Sequence, residues 1–159
     1  MEKPIKLYLD TSIWNFALET DRSGGSLTRE FLELLQLEEY IVITSDVVEV
    51  EILAAPEPRK SKLKGLVGLV NNLEAVVSDK TSKELASIYV NEGLIPVKHY
   101  DDALHIAIAT VNRCNFIVSW NFQHIVKAKV IMGVHHINHR EGYGLIEIVS
   151  PQLFLGKKE

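Results

Sequence analysis

The chain has 159 residues, of which 17 are lysine or arginine and 21 are aspartate or glutamate, so its net charge is −4 with neutral histidines. This length fits one domain, and 47% hydrophobic with 24% charged residues is typical of a globular protein, which excludes disorder of the whole chain. No apolar run approaches the roughly 18 residues that span a membrane, so we expect no membrane partner. The single cysteine, Cys114, cannot form an internal disulfide, which suits the reducing cytoplasm. The acidic balance argues against a general phosphate-coating surface.

Apolar runs and turn-forming residues divide the chain into alternating strands and helices. In chain order the patterns predict a strand over residues 5–10, a helix from about residue 27, a strand over 40–44, helices over 45–55 and 60–71, a strand over 73–77, helices over 81–91 and 100–113, a strand over 115–120, a helix over 122–132 and a strand over 145–149. Strands that alternate with helices predict an α/β fold in which helices cover both faces of a parallel sheet.

Turn and capping residues set the predicted boundaries. Residues 21–26 (DRSGGS) have the composition of a loop, with Ser26 as the cap of the helix that follows. Ser45 is expected to cap the helix after the second strand. Thr81 and Glu84 are spaced as a capping box for a later helix.

Ligands of parallel α/β sheets bind beyond the carboxyl ends of the strands. Asp10 follows the first predicted strand, residues 44–46 follow the second, and residues 120–121 follow the fourth. An aspartate such as Asp10 could also cap the turn through Thr11 and Ser12, so its position alone is weak evidence of a site.

Glu51 has an unusual position on its predicted helix. It lies in the middle of an apolar arc, whereas Glu49 lies on the opposite, solvated side. A carboxylate on a face directed to the core costs several kcal/mol unless a cation compensates it. Either a bound metal or a buried salt bridge would supply that cation.

Two acids open the long apolar helix predicted over residues 100–113. Asp101 and Asp102 are favoured there by the helix dipole, and Asp101 needs no other explanation than capping. Asp101, Asp102 and His105 share one polar sector, so the spacing leaves open which of them matters. His105 could orient a metal ligand from behind or could simply pack and form hydrogen bonds.

Asp10, Glu51 and Asp102 come from distant parts of the chain, and together they predict an acidic pocket. Clustered carboxylates repel one another unless a cation is present. Oxygen ligands suit Mg²⁺ or Mn²⁺, which hold phosphate substrates and activate water.

Four segments in this order resemble PIN-domain proteins, in particular the VapC-like ribonuclease toxins. They are LYLDTSIW around Asp10, TSDVVEVEIL around Glu51, YDDALHIAIA around Asp102 and FIVSWNFQHI around Asn121. The resemblance implies a three-layer α/β/α sandwich with a mostly parallel sheet of four to five strands, formed by residues 1–159 as a single PIN-like domain. It also implies an endoribonuclease that depends on Mg²⁺ or Mn²⁺.

The resemblance assigns site residues by position. Asp10, Glu51 and Asp102 match the metal-binding acids, and Asn121 matches a position that is usually Asp or Asn. The family often has a further Asp where this chain has His124, which makes the pocket less negative and puts a second metal in question. Residues expected to support these four catalytic residues are Thr11, Ser12, Asp101, His105 and His124.

Partners follow from the same resemblance. They are an RNA substrate, an antitoxin protein that blocks the site, and a second copy of the chain in a homodimer. The alternative function is a binding or regulatory protein on the PIN fold with a weakened nuclease site, which Asn121 and His124 favour. A phosphate-accepting receiver domain fits less well, because Asp10 lacks a paired acid.

Three further features have ordinary structural explanations. His135, His136 and His139 could bind zinc, but they are expected in a loop without the spacing of a metalloprotease helix. Trp14 and Trp120 could stack on bases, although core packing is the simpler interpretation. The densest basic stretch could contact RNA or could be a solvated helix face; it consists of Arg59, Lys60, Lys62 and Lys64.

Overall fold

The computed structural model describes residues 3–20 and 23–156, which form a five-stranded sheet and seven α-helices. The strands are β1 (Ile5–Leu9), β2 (Tyr40–Ser45), β3 (Leu73–Val76), β4 (Phe116–Val118) and β5 (Glu147–Val149). The helices are α1 (Thr11–Ala17), α2 (Ser23–Leu37), α3 (Asp46–Leu53), α4 (Arg59–Gly68), α5 (Lys80–Asn91), α6 (Tyr100–Val111) and α7 (Ala128–Arg140). Short 3₁₀ helices cover Val97–His99 and Pro151–Phe154. No helix in these residues is long and apolar enough to cross a membrane.

All neighbouring strands pair in parallel, in the order β3-β2-β1-β4-β5, which confirms the predicted α/β fold. The chain builds β1, β2 and β3 towards one edge and then returns to place β4 beside β1. The strand order therefore reverses between β1 and β4, and open α/β sheets bind their ligands in the crevice outside such a reversal.

The core lies on both faces of the central strands. Successive side chains of a strand point to opposite faces, yet Leu7, Tyr8 and Leu9 of β1 are all fully buried. Ile117 and Val118 of β4 are fully buried as well. Helices must therefore cover both faces, which is why these strands are continuous apolar runs without alternation.

The predicted loop at residues 21–26 is wrong from residue 23 onwards. Helix α2 already begins at Ser23, so Ser26 lies inside the helix and cannot cap it; Asp21 and Arg22 lie outside the described residues. A Cβ on Gly25 would come within 2.1 Å of the carbonyl oxygen of Glu19. This glycine is a close-packing residue within a helix, whereas composition alone marked it as part of a loop.

Helix α5 has a different cap from the predicted one. Asp79, not Thr81, occupies the N-cap position, and its carboxylate accepts a hydrogen bond from the backbone nitrogen of Ser82 at 2.9 Å. The Ser82 hydroxyl accepts in return from the backbone nitrogen of Asp79, also at 2.9 Å. Aspartate caps helices at least as well as threonine, so the helix begins near Asp79.

The helix predicted over residues 122–132 is also displaced. Residues 122–127 form turns, and α7 runs from Ala128 to Arg140. The three histidines that were expected in a loop, His135, His136 and His139, therefore lie on this helix. The His135 Nε2 atom bonds to the Ile146 carbonyl oxygen at 2.9 Å, which gives that ring a structural partner.

Candidate active site

Asp10 lies at the strand reversal, directly after β1, and is buried. Its two carboxylate oxygens accept hydrogen bonds from the hydroxyls of Ser12 and Ser119, each at 2.5 Å. Burial raises the pKa of Asp10, although the charge of His105 and the two serine hydroxyls act in the opposite direction. The protein therefore holds this carboxyl group in a fixed orientation while only partly compensating its charge.

The two serines that hold Asp10 also join the ends of β1 and β4. The Ser12 hydroxyl accepts from the backbone nitrogen of Trp120, and the Ser119 hydroxyl accepts from that of Asn121, both at 2.9 Å. The Asp10 backbone nitrogen donates to the Val118 carbonyl at 3.3 Å. The turn after β4 is thus positioned against Asp10 through backbone groups.

A second network connects Glu51 of α3 with the buried ring of His105. The Glu51 Oε1 atom lies 2.7 Å from His105 Nε2 and 3.2 Å from the Thr11 hydroxyl, which donates to it. On the other side of the ring, His105 Nδ1 lies 2.7 Å from the Tyr8 hydroxyl, which in turn lies 2.7 Å from that of Ser45. Ser45 caps α3 by accepting from the Val48 backbone nitrogen, as predicted.

The charges around His105 favour its protonated form. Burial alone would lower the pKa of His105, but the hydrogen bond to Glu51 and the charges of Asp10, Glu51 and Asp102 outweigh it, and the pKa rises. Burial would likewise raise the pKa of Glu51, but the His105 ring and the Thr11 hydroxyl lower it. Glu51 therefore contacts the imidazole of His105 directly, whereas Asp10 and Asp102 act on it through their charges. A protonated imidazole donates from both nitrogens.

Asp102 faces a different pair of side chains. Its Oδ2 atom lies 3.2 Å from Nδ1 of His124 and 3.8 Å from Nδ1 of His99. The two rings face one another at a tilt of 31°, with centroids 3.9 Å apart. Asp101 is exposed, so the structure distinguishes the two neighbouring acids that helical spacing could not separate.

Asn121 stabilises the turn that carries His124. Its side-chain oxygen accepts from the backbone nitrogen of His124 at 2.9 Å and from that of Gln123 at 3.2 Å. This is the role of a helix-type cap, which an Asp or Asn can fill equally well.

The donors present fit a divalent cation in part. Carboxylates such as Asp10, Glu51 and Asp102 are the ligands that Mg²⁺ and Mn²⁺ prefer. Burial raises the pKa of Asp10, and a bound cation would favour the ionised form of this carboxyl group. Within residues 3–20 and 23–156, the one group of three His, Cys, Asp or Glu ligand atoms lying within 4.8 Å of one another belongs to His99, Asp102 and His124. One ion could therefore contact all three carboxylates only with bridging water or after a movement of side chains.

Sequence reasoning missed several residues of the site. Ser119 was detectable, because it is the first residue after β4 and so lies beside Asp10. Tyr8 and His99 gave no signal, since their roles depend on contacts between elements far apart in the chain; Ser45 was predicted as a helix cap, but its contact with the Tyr8 hydroxyl was not. Phe122 is an exposed aromatic that packs edge-on against Trp120 beside the site.

The remaining predicted residues have structural roles. Trp14 is fully buried and Trp120 nearly so, which agrees with core packing and leaves little ring surface for stacking on a base. Arg59 bonds to the side-chain and backbone oxygens of Asn15 at 3.1 Å, so it holds α4 against α1.

Comparisons with known proteins agree with this architecture. The sequence profile of the PIN domain matches residues 7–125, whereas a comparison with curated protein sequences finds no match. Among solved structures, VapC20 from Mycobacterium tuberculosis, described as a toxin that cleaves the sarcin-ricin loop, is similar with a TM-score of 0.56 and 12% identity over 74% of this chain and 92% of that one.

Two VapBC structures are similar over more of the chain. The VapBC2 structure from Rickettsia felis, bound to a promoter DNA fragment, has a TM-score of 0.58 and 18% identity over 91% of this chain and 98% of that one. DNA-bound VapBC from Salmonella typhimurium has a TM-score of 0.58 and 16% identity over 92% and 98%. At these identities the likeness establishes the fold, and the profile match over most of the chain establishes the family: this protein belongs to the PIN-domain family.

Proposed function

We propose that this protein is a metal-dependent endoribonuclease that hydrolyses RNA phosphodiester bonds. The observation that carries the proposal is the position of the buried Asp10 directly after β1, at the strand reversal of a PIN fold. Glu51 contacts the buried ring of His105 at 2.7 Å, and the charges of Asp10 and Asp102 act on that ring as well. Three acids whose charges act on one buried ring are expensive to maintain for stability alone, since burial already disfavours the charge of Asp10.

In this proposal Asp10, Glu51 and Asp102 hold Mg²⁺ or Mn²⁺. A divalent ion in such a pocket lowers the pKa of a bound water and polarises a phosphate oxygen. Ser12 and Ser119 fix the orientation of the Asp10 carboxylate, because each donates to one of its oxygens.

His105 supports the same site from beneath. Its Nε2 atom fixes the Glu51 carboxylate, and the Tyr8 hydroxyl fixes the ring. When protonated, His105 also reduces the repulsion among the three acids, so the pocket can stay assembled before an ion binds.

The turn after β4 positions the substrate. The Asn121 oxygen is used by the turn, so the side-chain nitrogen of Asn121 is the group that could donate to a phosphate oxygen. His124 provides a further donor or ligand next to Asp102. Thr11 keeps Glu51 in place through its hydroxyl.

We further propose that the whole chain, residues 1–159, forms this one domain and acts in the cytoplasm as the toxin of a toxin–antitoxin pair. The support comes from the fold shared with VapC20, described as a toxin that cleaves the sarcin-ricin loop, and with two VapBC structures. An antitoxin protein would bind over the site, and the chain would form a homodimer as the resemblance to the VapC-like toxins implies.

RNA cleavage with purified protein tests the nuclease function. We expect Mg²⁺ or Mn²⁺ to support cleavage of ribosomal, transfer or messenger RNA and EDTA to abolish it. Asp10→Asn and Glu51→Gln should each reduce the rate by about 100-fold or more, since loss of a ligand should exceed the 10–100-fold effect of losing an outer partner. Glu49→Gln is the matched control, because Glu49 lies exposed on the same helix as Glu51. Equal activity of Asp10→Asn and wild type would refute the proposal.

The second candidate function is a PIN-fold binding or regulatory protein without nuclease activity. It is favoured by the 2.7 Å contact between His105 and Glu51, which occupies one of the three acids. Calorimetric titration with Mn²⁺ separates the two functions. A nuclease site should bind Mn²⁺ in a way that Asp10→Asn abolishes, whereas an inactive site should show no heat that depends on Asp10.

A further inference from the structure

We propose that His99, Asp102 and His124 form a separate binding site for a divalent transition-metal ion, with two imidazoles and one carboxylate as ligands. The one-residue difference between Asp101 and Asp102 places only the second acid next to the two histidines. This site adjoins the acidic pocket of the proposed nuclease and shares Asp102 with it, but it differs in its donors, because two of its three ligands are imidazoles.

The three ligand atoms are already gathered. They all lie within 4.8 Å of one another, with Asp102 Oδ2 at 3.2 Å from His124 Nδ1 and at 3.8 Å from His99 Nδ1. Ligand atoms bound to one ion at about 2.1 Å are separated by roughly 3–4 Å, so only small side-chain shifts are needed to admit it.

The surrounding backbone holds these ligands from three elements. His99 ends the 3₁₀ helix Val97–His99, and Asp102 lies in the first turn of α6, so the two are one helical turn apart. His124 comes from the turn after β4, which Asn121 fixes through its side-chain oxygen. Because the backbone already holds these ligands in place, little conformational entropy is lost when they bind an ion.

The donor set favours transition metals over Mg²⁺. Imidazole nitrogens suit Zn²⁺, Co²⁺, Ni²⁺ and Fe²⁺, whereas Mg²⁺ prefers oxygen ligands and releases its water reluctantly. Two histidines and one carboxylate are also the three-ligand set of open metal sites, in which the remaining positions are free for water or a phosphate oxygen.

The ligands are reachable by an ion from solution. The side chains of His99, Asp102 and His124 are 38%, 22% and 12% exposed, respectively. His124 also lines a cavity of about 610 Å³ together with Gln123, Lys127 and Lys129. The site is therefore half-buried. Partial exclusion of water should strengthen metal binding, while the remaining exposure lets the ion exchange with solvent.

Titration of the metal-free, untagged full-length chain with Co²⁺ tests this site. We expect one equivalent of Co²⁺ to bind with visible absorption bands of a low-coordinate ion, and we expect Zn²⁺ to displace it while millimolar Mg²⁺ does not. His99→Ala and His124→Ala should each weaken binding by at least about tenfold, since removing a ligand costs more than removing an outer partner. His136→Ala is the matched control, because His136 is an exposed histidine on α7.

The outcomes separate this site from the nuclease. Unchanged Co²⁺ affinity in both His99→Ala and His124→Ala would overturn the proposal, as would displacement of Co²⁺ by Mg²⁺ at equal concentration. His99→Gln, at the most exposed ligand, gives a second test if the His124 variant unfolds. Asp10→Asn should abolish RNA cleavage in Mg²⁺ yet keep Co²⁺ binding, so failure of one proposal is visible independently of the other.

Discussion

A single buried histidine determines how the acidic pocket behaves without a metal. His105 contacts Glu51, lies within the influence of Asp10 and Asp102, and is almost fully buried. The sequence left open whether Glu51 has a metal or a buried salt bridge as its compensating cation. The structure shows that Glu51 contacts His105. Without a metal, the protonated imidazole can therefore offset part of the repulsion among the carboxylates.

The pKa shifts of this pair predict how stability depends on pH. The pKa of His105 is raised above 6.5, so its contribution is fully present below pH 6.5 and is lost as the pH rises through the raised value. The pKa of Glu51 is lowered below 4.5, so its contribution is present above pH 4.5 and is lost as the pH falls through the lowered value. We expect thermal unfolding in EDTA to show a maximum between about pH 4.5 and 6.5 and a decline towards alkaline pH.

The variant His105→Gln isolates this contribution. The unfolding midpoint of this variant should fall less steeply with alkaline pH than that of wild type, because the titrating imidazole is gone. The raised pKa of Asp10 contributes to the pH dependence of both proteins. His136→Gln, at an exposed position of α7, should reproduce the wild-type profile. Identical slopes for His105→Gln and wild type above pH 6.5 would contradict the assignment.

Two helical glycines show that the sequence of a helix alone does not reveal which of its residues must be glycine. Gly25 in α2 and Gly65 in α4 both lie within helices, although composition placed Gly25 in a loop and Gly65 in a helix. A Cβ on Gly25 would meet the Glu19 carbonyl oxygen at 2.1 Å, whereas a Cβ on Gly65 would meet nothing within 4 Å. The close approach between the end of α1 and the start of α2 is therefore what requires glycine at position 25.

Alanine substitutions at these positions should have opposite effects. We expect Gly25→Ala to lower the free energy of unfolding by about 1–3 kcal/mol, because the added methyl overpacks against backbone that cannot easily move. Gly65→Ala should raise it by about 0.5–1 kcal/mol, since alanine is the better helix former and space is available. Urea unfolding followed by circular dichroism measures both, and a stable Gly25→Ala protein would show that the contact can relax.

The same distinction explains which elements the sequence predicts. The strands were predictable because each is a short apolar run bounded by turn residues, and Leu7, Tyr8 and Leu9 carry that signal without any knowledge of their neighbours. Helix α7 was misplaced because the chain between residues 122 and 127 is held in turns by Asn121, a contact that apolar spacing does not reveal. The start of α2 was missed for the tertiary reason given above for Gly25.

At the scale of the whole molecule, the order of the strands brings the site together. Asp10 was predictable as a candidate because it follows β1, and Asp102 because it opens α6. His105 was a candidate support, but its contact with Glu51 emerges only when α3 and α6 are packed. His99 was not predictable, because nothing in its local sequence differs from a surface histidine before a helix. Sequence patterns predicted three acids of a site, and packing determines which side chains contact them.

The protein has a net charge of −4, and the last prediction concerns whether Mg²⁺ binding to its buried acids stabilises the folded protein. Because burial disfavours the ionised form of Asp10, an ion in the acidic pocket should stabilise the folded protein by linkage. Mg²⁺ at 100 times its dissociation constant contributes about 2.7 kcal/mol. For a chain of this size that corresponds to roughly 5–10 °C in the unfolding midpoint.

The double variant Asp10→Asn, Asp102→Asn separates this effect from general ionic strength. In EDTA its unfolding midpoint should equal or exceed that of wild type, because the buried carboxylate charge is removed, yet Mg²⁺ should give no further rise. KCl at matched ionic strength should leave wild type unchanged, since a monovalent salt only screens surface charges. If Mg²⁺ raised the unfolding midpoint equally in both proteins, the ion would act elsewhere, and Asp10 and Asp102 would not form its binding site. Loss of the rise in the variant alone would locate the stabilising ion at these two carboxylates, and RNA affinity would then depend on the same ion.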